Sequence, residues 1–317
     1  MVNNIKIGPA GWSYSDWKGI VYPSSRPSGF HEAEYLAQYF PTIEINTSFY
    51  RPLRPEVSRL WAQKMHGIRD FRFTAKLYRG FTHERSLDRQ TLRDYCHGLE
   101  PLIDAGRLGA VLMQFPWSFK RTKENLDYVM RVRRTFAGYP LVAEMRHASW
   151  NSSDALNAFE DNDLGFCNID QPQLNQCLAP TSHVTSKVAY VRLHGRNYER
   201  WFDSNDDGSG RSAVQARYDY LYSNRQLEKW AGRIQRLAKQ AQTVYVVTNN
   251  HFEGKAVVNA LQLLSMVHED TIESPPTLIE HYPELAGVSS NLPRQKSLFF
   301  DMPAIPPVYT AAVYARA

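Results

Sequence analysis

Thr42-Ile43-Glu44-Ile45-Asn46-Thr47-Ser48-Phe49-Tyr50 decides the fold. Ile43 and Ile45 alternate with Glu44, Asn46 and Ser48, which is the two-residue period of a strand. The face opposite the isoleucines is polar, and the run ends in hydroxyl and aromatic side chains. Seven further runs share this shape: Ile5 to Ala10, Phe71 to Leu77, Leu108 to Pro116, Leu141 to His147, Leu164 to Asp170, Val188 to Arg196 and Val244 to His251. Each is short, rich in β-branched or large apolar residues, and followed by a stretch that reads as helix. Eight such units predict an α/β fold, a single (β/α)8 TIM barrel, whose ligand site lies at the carboxyl ends of the strands.

Alternation then sorts side chains between the barrel interior and the surrounding helices. It sends Glu44, Asn46 and Ser48 inward, with Arg72, Thr74 and Lys76 from the third run and Arg192 and His194 from the seventh. The same count adds Gln114, Glu144, Arg146, Asp170 and Asn250 to a polar ring. A barrel built only for stability fills these layers with branched apolar side chains, and burying so many charges costs free energy. The ring is therefore read as a ligand site.

The connecting segments fit this plan. Helices are predicted over His31 to Phe40, Pro55 to Met65, Thr91 to Ala105, Lys123 to Phe136, Ser153 to Asn162, Arg225 to Ala241 and Gly254 to Met266. Between Asp170 and Val188 no long helix is legible, only one turn within Gln171 to Pro180. Residues 1–270 are assigned to the barrel domain and 271–317 to a carboxyl-terminal extension, rich in proline, with one short helix around Ile279 to Leu285.

Composition sets mild bounds. A net charge of +5 and a pI near 9.0 suit an anionic partner. Met1 to Lys6 lacks an apolar signal core and no run reaches membrane-spanning length, so no membrane partner and a cytoplasmic location are expected. Cys96, Cys167 and Cys177 form no CxxC pair, which argues against a disulfide framework or a zinc knuckle.

These residues resemble the YecE-like family, the group called domain of unknown function 72. The matching pieces are Gly11-Trp12-Ser13-Tyr14 with Trp17, Glu44 to Tyr50, Lys76 followed by Thr82-His83, Gln114-Phe115-Pro116, and Glu144-Met145-Arg146 with Ser149-Trp150. Tyr190 to Gly195, Trp201, Tyr218-Asp219-Tyr220 and Asn249-Asn250 continue the match in order. The resemblance implies a TIM barrel and supplies no established reaction. Some members are likened in fold to metal-dependent DNA-repair endonucleases, which is analogy alone.

The chemistry read from the ring pairs Glu44, Glu144 and Asp170 with Lys76, Arg146, Arg192 and Arg196, with His194 between them. The cations would clamp a phosphate or carboxylate while Glu44, Glu144 or His194 moves a proton. The bland alternative is a set of internal salt bridges closing the barrel mouth. Glu44, Glu144, Asp170 and His194 also suit a divalent metal by type, but no HxH or HExxH pattern appears and the cations nearby repel one. No metal is assigned and the cofactor is left open.

Trp12, Tyr14, Trp17, Tyr50, Trp117, Trp150 and Trp201 all follow strands. As a group they suit stacking on a ring-bearing ligand, although any single one can simply plug the barrel top. Trp12, Asn46, Tyr50, Gln114, Trp150, Trp201 and Asn250 thus join the candidate binding residues. His83 and His251 read as ordinary surface histidines. Arg200 to Arg211 holds Asp203 to Gly210, a small polar loop suited to a lid.

Two functions remain open at this stage. One is a hydrolase or lyase acting on a phosphate-bearing ring compound such as a nucleotide or nucleic acid. The other is a non-catalytic barrel that binds such a metabolite or nucleic acid. In the tail, Gln295, Ser297, Leu298 and Phe299 resemble the Gln-x-Ser/Asp-Leu-Phe peptide with which bacterial repair and replication proteins dock on the sliding clamp. Packing of Leu298, Phe299 and Phe300 on the helices is the competing explanation.

Overall fold

Eight strands form: β1 (Ile5–Pro9), β2 (Thr42–Ile45), β3 (Arg72–Lys76), β4 (Leu108–Gln114), β5 (Leu141–Glu144), β6 (Gly165–Asp170), β7 (Val188–Leu193) and β8 (Thr243–Thr248). The structure is a computed structural model and describes residues 4–174, 176–198 and 217–290. Every strand pair is parallel, and the sheet runs β1-β8-β7-β6-β5-β4-β3-β2. Its two ends meet at a bridge between Ala10 and Glu44, where the Gly11 N–H donates to the Glu44 carbonyl over 2.9 Å. The result is a nearly closed (β/α)8 barrel, the predicted fold.

Parallel strands need long crossovers, and helices supply them. In chain order they are α1 (Glu32–Leu36), α2 (Thr47–Tyr50), α3 (Pro55–Lys64), α4 (Arg79–Thr82), α5 (Arg89–Asp104), α6 (Lys123–Thr135), α7 (Ser153–Asp161), α8 (Asn224–Ala238), α9 (Lys255–His268) and α10 (Pro276–His281). Their starts carry the sequence marks of helix entry. Pro55 opens α3, the Asp88 and Thr122 side chains accept from the backbone N–H three residues on, and Ser223 with Gln226 forms a capping box on α8. Among the described residues no helix lies between β6 and β7. The chain there is pinned by an antiparallel bridge from His147 to Cys177.

The core lies between the sheet and the helices. Trp17, Trp150, Trp230, Phe71, Phe73 and Phe81 are among its largest fully buried side chains. Beyond residue 270 the described chain packs back on this shell. Leu278 of α10 and Leu285 are fully buried, and β9 (Ile272–Glu273) pairs with β10 (Ser289–Ser290). The proposed lid of residues 200–211, including Trp201, and the tail peptide of residues 295–299 lie outside the described residues. Among the described residues no helix is long and apolar enough to cross a membrane.

Candidate functional site

Register fixes which side chains reach the barrel interior. Cys167 pairs with Tyr190, Ile169 with Arg192, and Arg192 with Val247, so these share one face. That face places Tyr190 and Arg192 of β7 opposite Glu44 of β2 and Glu144 of β5, and all four are fully buried. A hydrogen-bonded file then crosses the barrel. The Thr74 hydroxyl lies 2.7 Å from the Tyr190 hydroxyl, which donates to Glu44 Oε2 over 2.9 Å. Arg192 Nη2 donates to Glu44 Oε1 over 2.7 Å, and its Nη1 donates to Glu144 Oε2 over 2.6 Å. Arg146 closes the file with Nε and Nη2 both 2.7 Å from Glu144 Oε1.

These contacts set the charge states. Burial alone would raise the Glu144 carboxyl, but the Arg192 and Arg146 guanidiniums overcome it and hold the group well below the usual carboxylate range. His194 Nε2 sits 3.2 Å from Glu144 Oε1, and its Nδ1 is 3.0 Å from the Asn249 amide nitrogen. With that amide donating to Nδ1, the proton is assigned to Nε2, facing the carboxylate. Burial and the Arg146 guanidinium push the imidazole down to about 3, so it is neutral at physiological pH.

Lys76 stands on the other side of the mouth. Its backbone carbonyl accepts from Ser48 Oγ over 2.7 Å and from the Tyr95 hydroxyl over 3.1 Å, which pins the end of β3. The ammonium lies 4.5 Å from the Phe49 ring centroid, and His83 meets the same ring edge-on at 5.2 Å. Among the described residues no carboxylate comes within ion-pair distance of it. Burial, then the nearby Arg192 charge, lower the ammonium to about 8.

A cavity of about 250 Å³ opens beside Arg146, walled also by Gln114, Trp117, Gln171, Arg217 and Tyr218. Gln171 is almost fully buried; its Nε2 donates to the Arg146 and Leu178 carbonyls over 2.9 and 3.3 Å. That orients the amide and leaves Oε1 without a hydrogen-bond partner among the described residues. Next to this cavity Tyr14 stacks on His251 at 4.4 Å, and Tyr218 covers the same imidazole at 4.8 Å. Burial lowers His251 to about 4, so it is not the ordinary surface histidine its sequence position suggested.

Residues 6–280 match the family described as protein of unknown function DUF72. The chain belongs to the DUF72 family. It is 29% identical over 279 residues to UPF0759 protein YunF of Bacillus subtilis strain 168, a match covering 83% of this chain and 94% of YunF. A solved DUF72 protein from Thermotoga maritima MSB8 is 30% identical with a TM-score of 0.72, covering 83% of this chain and 99% of its own. A second, from Enterococcus faecalis V583, is 24% identical with a TM-score of 0.71 over 83% and 95% of the two chains, and shows the shared fold.

Within this DUF72 barrel the predicted ring divides in two. Glu44, Gln114, Glu144, Arg146, Arg192 and His194 come together, with Lys76 and the half-buried Asn46 at the same end. Gln114 Oε1 is 3.4 Å from Arg192 Nη1, and Asn46 Nδ2 is 3.5 Å from the Tyr14 hydroxyl. Asp170 and Asn250 do not belong to this group. Asp170 pairs with Leu193, so it faces the helices, where Arg196 grips it through two 2.7 Å bonds and Trp230 Nε1 donates to it. Asn250 likewise turns out to Asn259 of α9 and the Tyr220 carbonyl, while its neighbour Asn249 faces His194. Arg196 is therefore a partner of Asp170 in a separate cluster.

Several of the aromatic candidates are taken up by the core. Trp12 packs edge-on against Trp61 of α3 at 5.0 Å, Trp150 stacks on Phe119 at 5.5 Å and donates to its carbonyl, and Trp17 is fully buried. All three are core residues, because the loops after their strands fold back over the helices. Arg192 is bound on both sides by carboxylates, which take both of its Nη atoms. Glu144 accepts from both Arg146 and Arg192, an arrangement suited to orienting those guanidiniums. Tyr50 is exposed, at 67% of its surface, and touches Phe49. Among the described residues no group of three or more His, Cys, Asp or Glu side chains is placed to hold a metal ion.

Proposed function

We propose that this DUF72 barrel is a cytoplasmic enzyme, a hydrolase or lyase, that binds a small anionic ring compound such as a nucleotide in the cavity beside Arg146. The carrying observation is the wall of that cavity. Arg217 offers a guanidinium fork to a phosphate or carboxylate with the charge of Arg146 beside it, Trp117 and Tyr218 offer flat faces to a ring, and Gln171 Oε1 offers a buried acceptor without a donor. Glu144 serves here as a brace that orients Arg146, and Glu44 and Arg192 hold the brace in place. Proton transfer falls to Lys76, the mouth cation whose charge state is changeable near neutral pH.

Calorimetric titration with a nucleoside 5′-monophosphate and with inorganic phosphate tests the cavity. Arg146→Gln is expected to weaken binding at least tenfold, about 1.4 kcal/mol, with the fold intact by circular dichroism. Equal affinity in that variant would sink the cavity assignment. The non-catalytic reading draws on the buried Glu44–Arg192–Glu144 file, whose charged groups are already bonded to one another. Binding without turnover of any bound compound, unchanged in Lys76→Arg, would favour it.

A further inference from the structure

Two carboxylates and three cations share the inner mouth: Glu44 and Glu144 against Lys76, Arg146 and Arg192. The guanidiniums take both carboxylates, Arg192 bridging them at 2.6 and 2.7 Å and Arg146 holding the outer one at 2.7 Å. One positive charge is left over, and it sits on the only member of the set able to release its proton. A lysine desolvated beside other cations, at the carboxyl end of a barrel strand, is placed as amine nucleophiles are.

We propose that Lys76 forms a covalent imine with the carbonyl carbon of a small aldehyde or ketone, preferring one that also carries an acidic group. The neutral Nζ lone pair adds to the carbonyl carbon while the C=O π pair moves to oxygen. A proton passes from Nζ to that oxygen, giving a carbinolamine. After a second proton reaches the hydroxyl, it leaves as water, and nitrogen and carbon become doubly bonded, the iminium keeping one N–H. No oxidant or reductant is needed.

Three features of the site support this chemistry. The two hydrogen bonds to the Lys76 carbonyl fix the backbone from which the amine projects. Phe49 presents a flat apolar face 4.5 Å from Nζ, which tolerates the charged iminium as it does the ammonium. His83, half-buried against the same ring, is placed to deliver the proton that the departing hydroxyl takes up. Lowering of the ammonium to about 8 gives a substantial neutral fraction at physiological pH. The surplus charge left by the file favours an acidic carbonyl compound over a neutral one. This chemistry deepens the role given to Lys76 in the proposed function, while the anion cavity, whose wall does not include Lys76, is tested separately.

The test is reductive trapping on the full chain with sodium cyanoborohydride, using glyoxylate as the acidic probe and propanal as the neutral one, followed by peptide mass spectrometry. Lys76 is expected to gain the reduced adduct about tenfold faster than the exposed Lys120 and Lys229 at pH 7.5. Its rate should rise through a midpoint near 8, and glyoxylate should outpace propanal there but not at Lys120. The comparison is made within one folded protein, so it does not depend on a variant's stability. Lys76→Arg should remove the fast site. Trapping at Lys76 no faster than at Lys120 and Lys229 overturns the proposal. Titrating the unaltered chain with inorganic phosphate separates the two readings: fast trapping at Lys76 without phosphate binding would leave the imine standing and overturn the anion cavity alone.

Discussion

The two sides of the barrel mouth handle charge in opposite ways. Toward β5 and β7, Arg192 and His194 are held against Glu44 and Glu144 with no exposed surface, and the partly exposed Arg146 links them to the cavity. Toward β2 and β3, Lys76 meets aromatic faces and no carboxylate at ion-pair distance among the described residues. A locked network holds a shape; a cation kept without a partner costs stability and persists where it has chemistry to perform. The first side is thus a frame and the second a working surface.

The largest effect should come from breaking the frame. Arg192→Met leaves Glu44 buried without a counter-charge and Glu144 with Arg146 alone, and should lower unfolding free energy in urea by about 3–5 kcal/mol; a loss under 1 kcal/mol would make the file dispensable. Acid acts on the same side. Unfolded, His194 takes its proton near 6.5; folded, it resists until about 3. Between those values the unfolded chain holds the extra proton, so stability falls as pH drops through this window, by about 1.4 kcal/mol per pH unit for this one group. Comparing urea curves of the native chain and His194→Gln at pH 7, 5 and 4 isolates it, and parallel curves would refute the assignment.

The outer cluster should respond more weakly. Asp170→Asn keeps an acceptor for Trp230 but loses the charged fork to Arg196, which is partly exposed, at a cost of about 2 kcal/mol in thermal unfolding. A loss equal to that of Arg192→Met would erase the distinction between the two clusters. The smallest effect has the opposite sign. Lys76→Met removes a charge that burial disfavours, and should stabilise the fold by about 1 kcal/mol while abolishing the trapping described above. A destabilised variant would place Lys76 with the frame.

Much of this was legible in sequence, for definable reasons. Alternation placed Glu44, Lys76, Glu144, Arg192 and His194 at one end because their strands alternate cleanly between apolar and polar residues. It misplaced Asp170 because β6 carries its polar Asn168 and Asp170 on the outer face, the reverse of β2, and Asn250 because β8 is largely apolar on both faces; only pairing register sets their phase. Asn249, one residue from Asn250, was missed for the same cause. The tryptophans misled because a loop that follows a strand can turn outward over the helices as readily as inward over the mouth. Gln171 and Arg217 carry no sequence mark; they matter through a cavity that only the folded chain creates.

The bridges of the Arg192 guanidinium also join residues 148 and 48 positions apart in the chain. Such contacts form late, after the long loops between them have closed. A one-residue slip of β7 would turn Val191 or Leu193 toward Glu44 and Glu144 and strand two carboxylates in a dry interior. An all-apolar barrel would forgive such a slip far more readily. The arginine thereby tells the closing ring which of its possible alignments is the right one, before any ligand arrives.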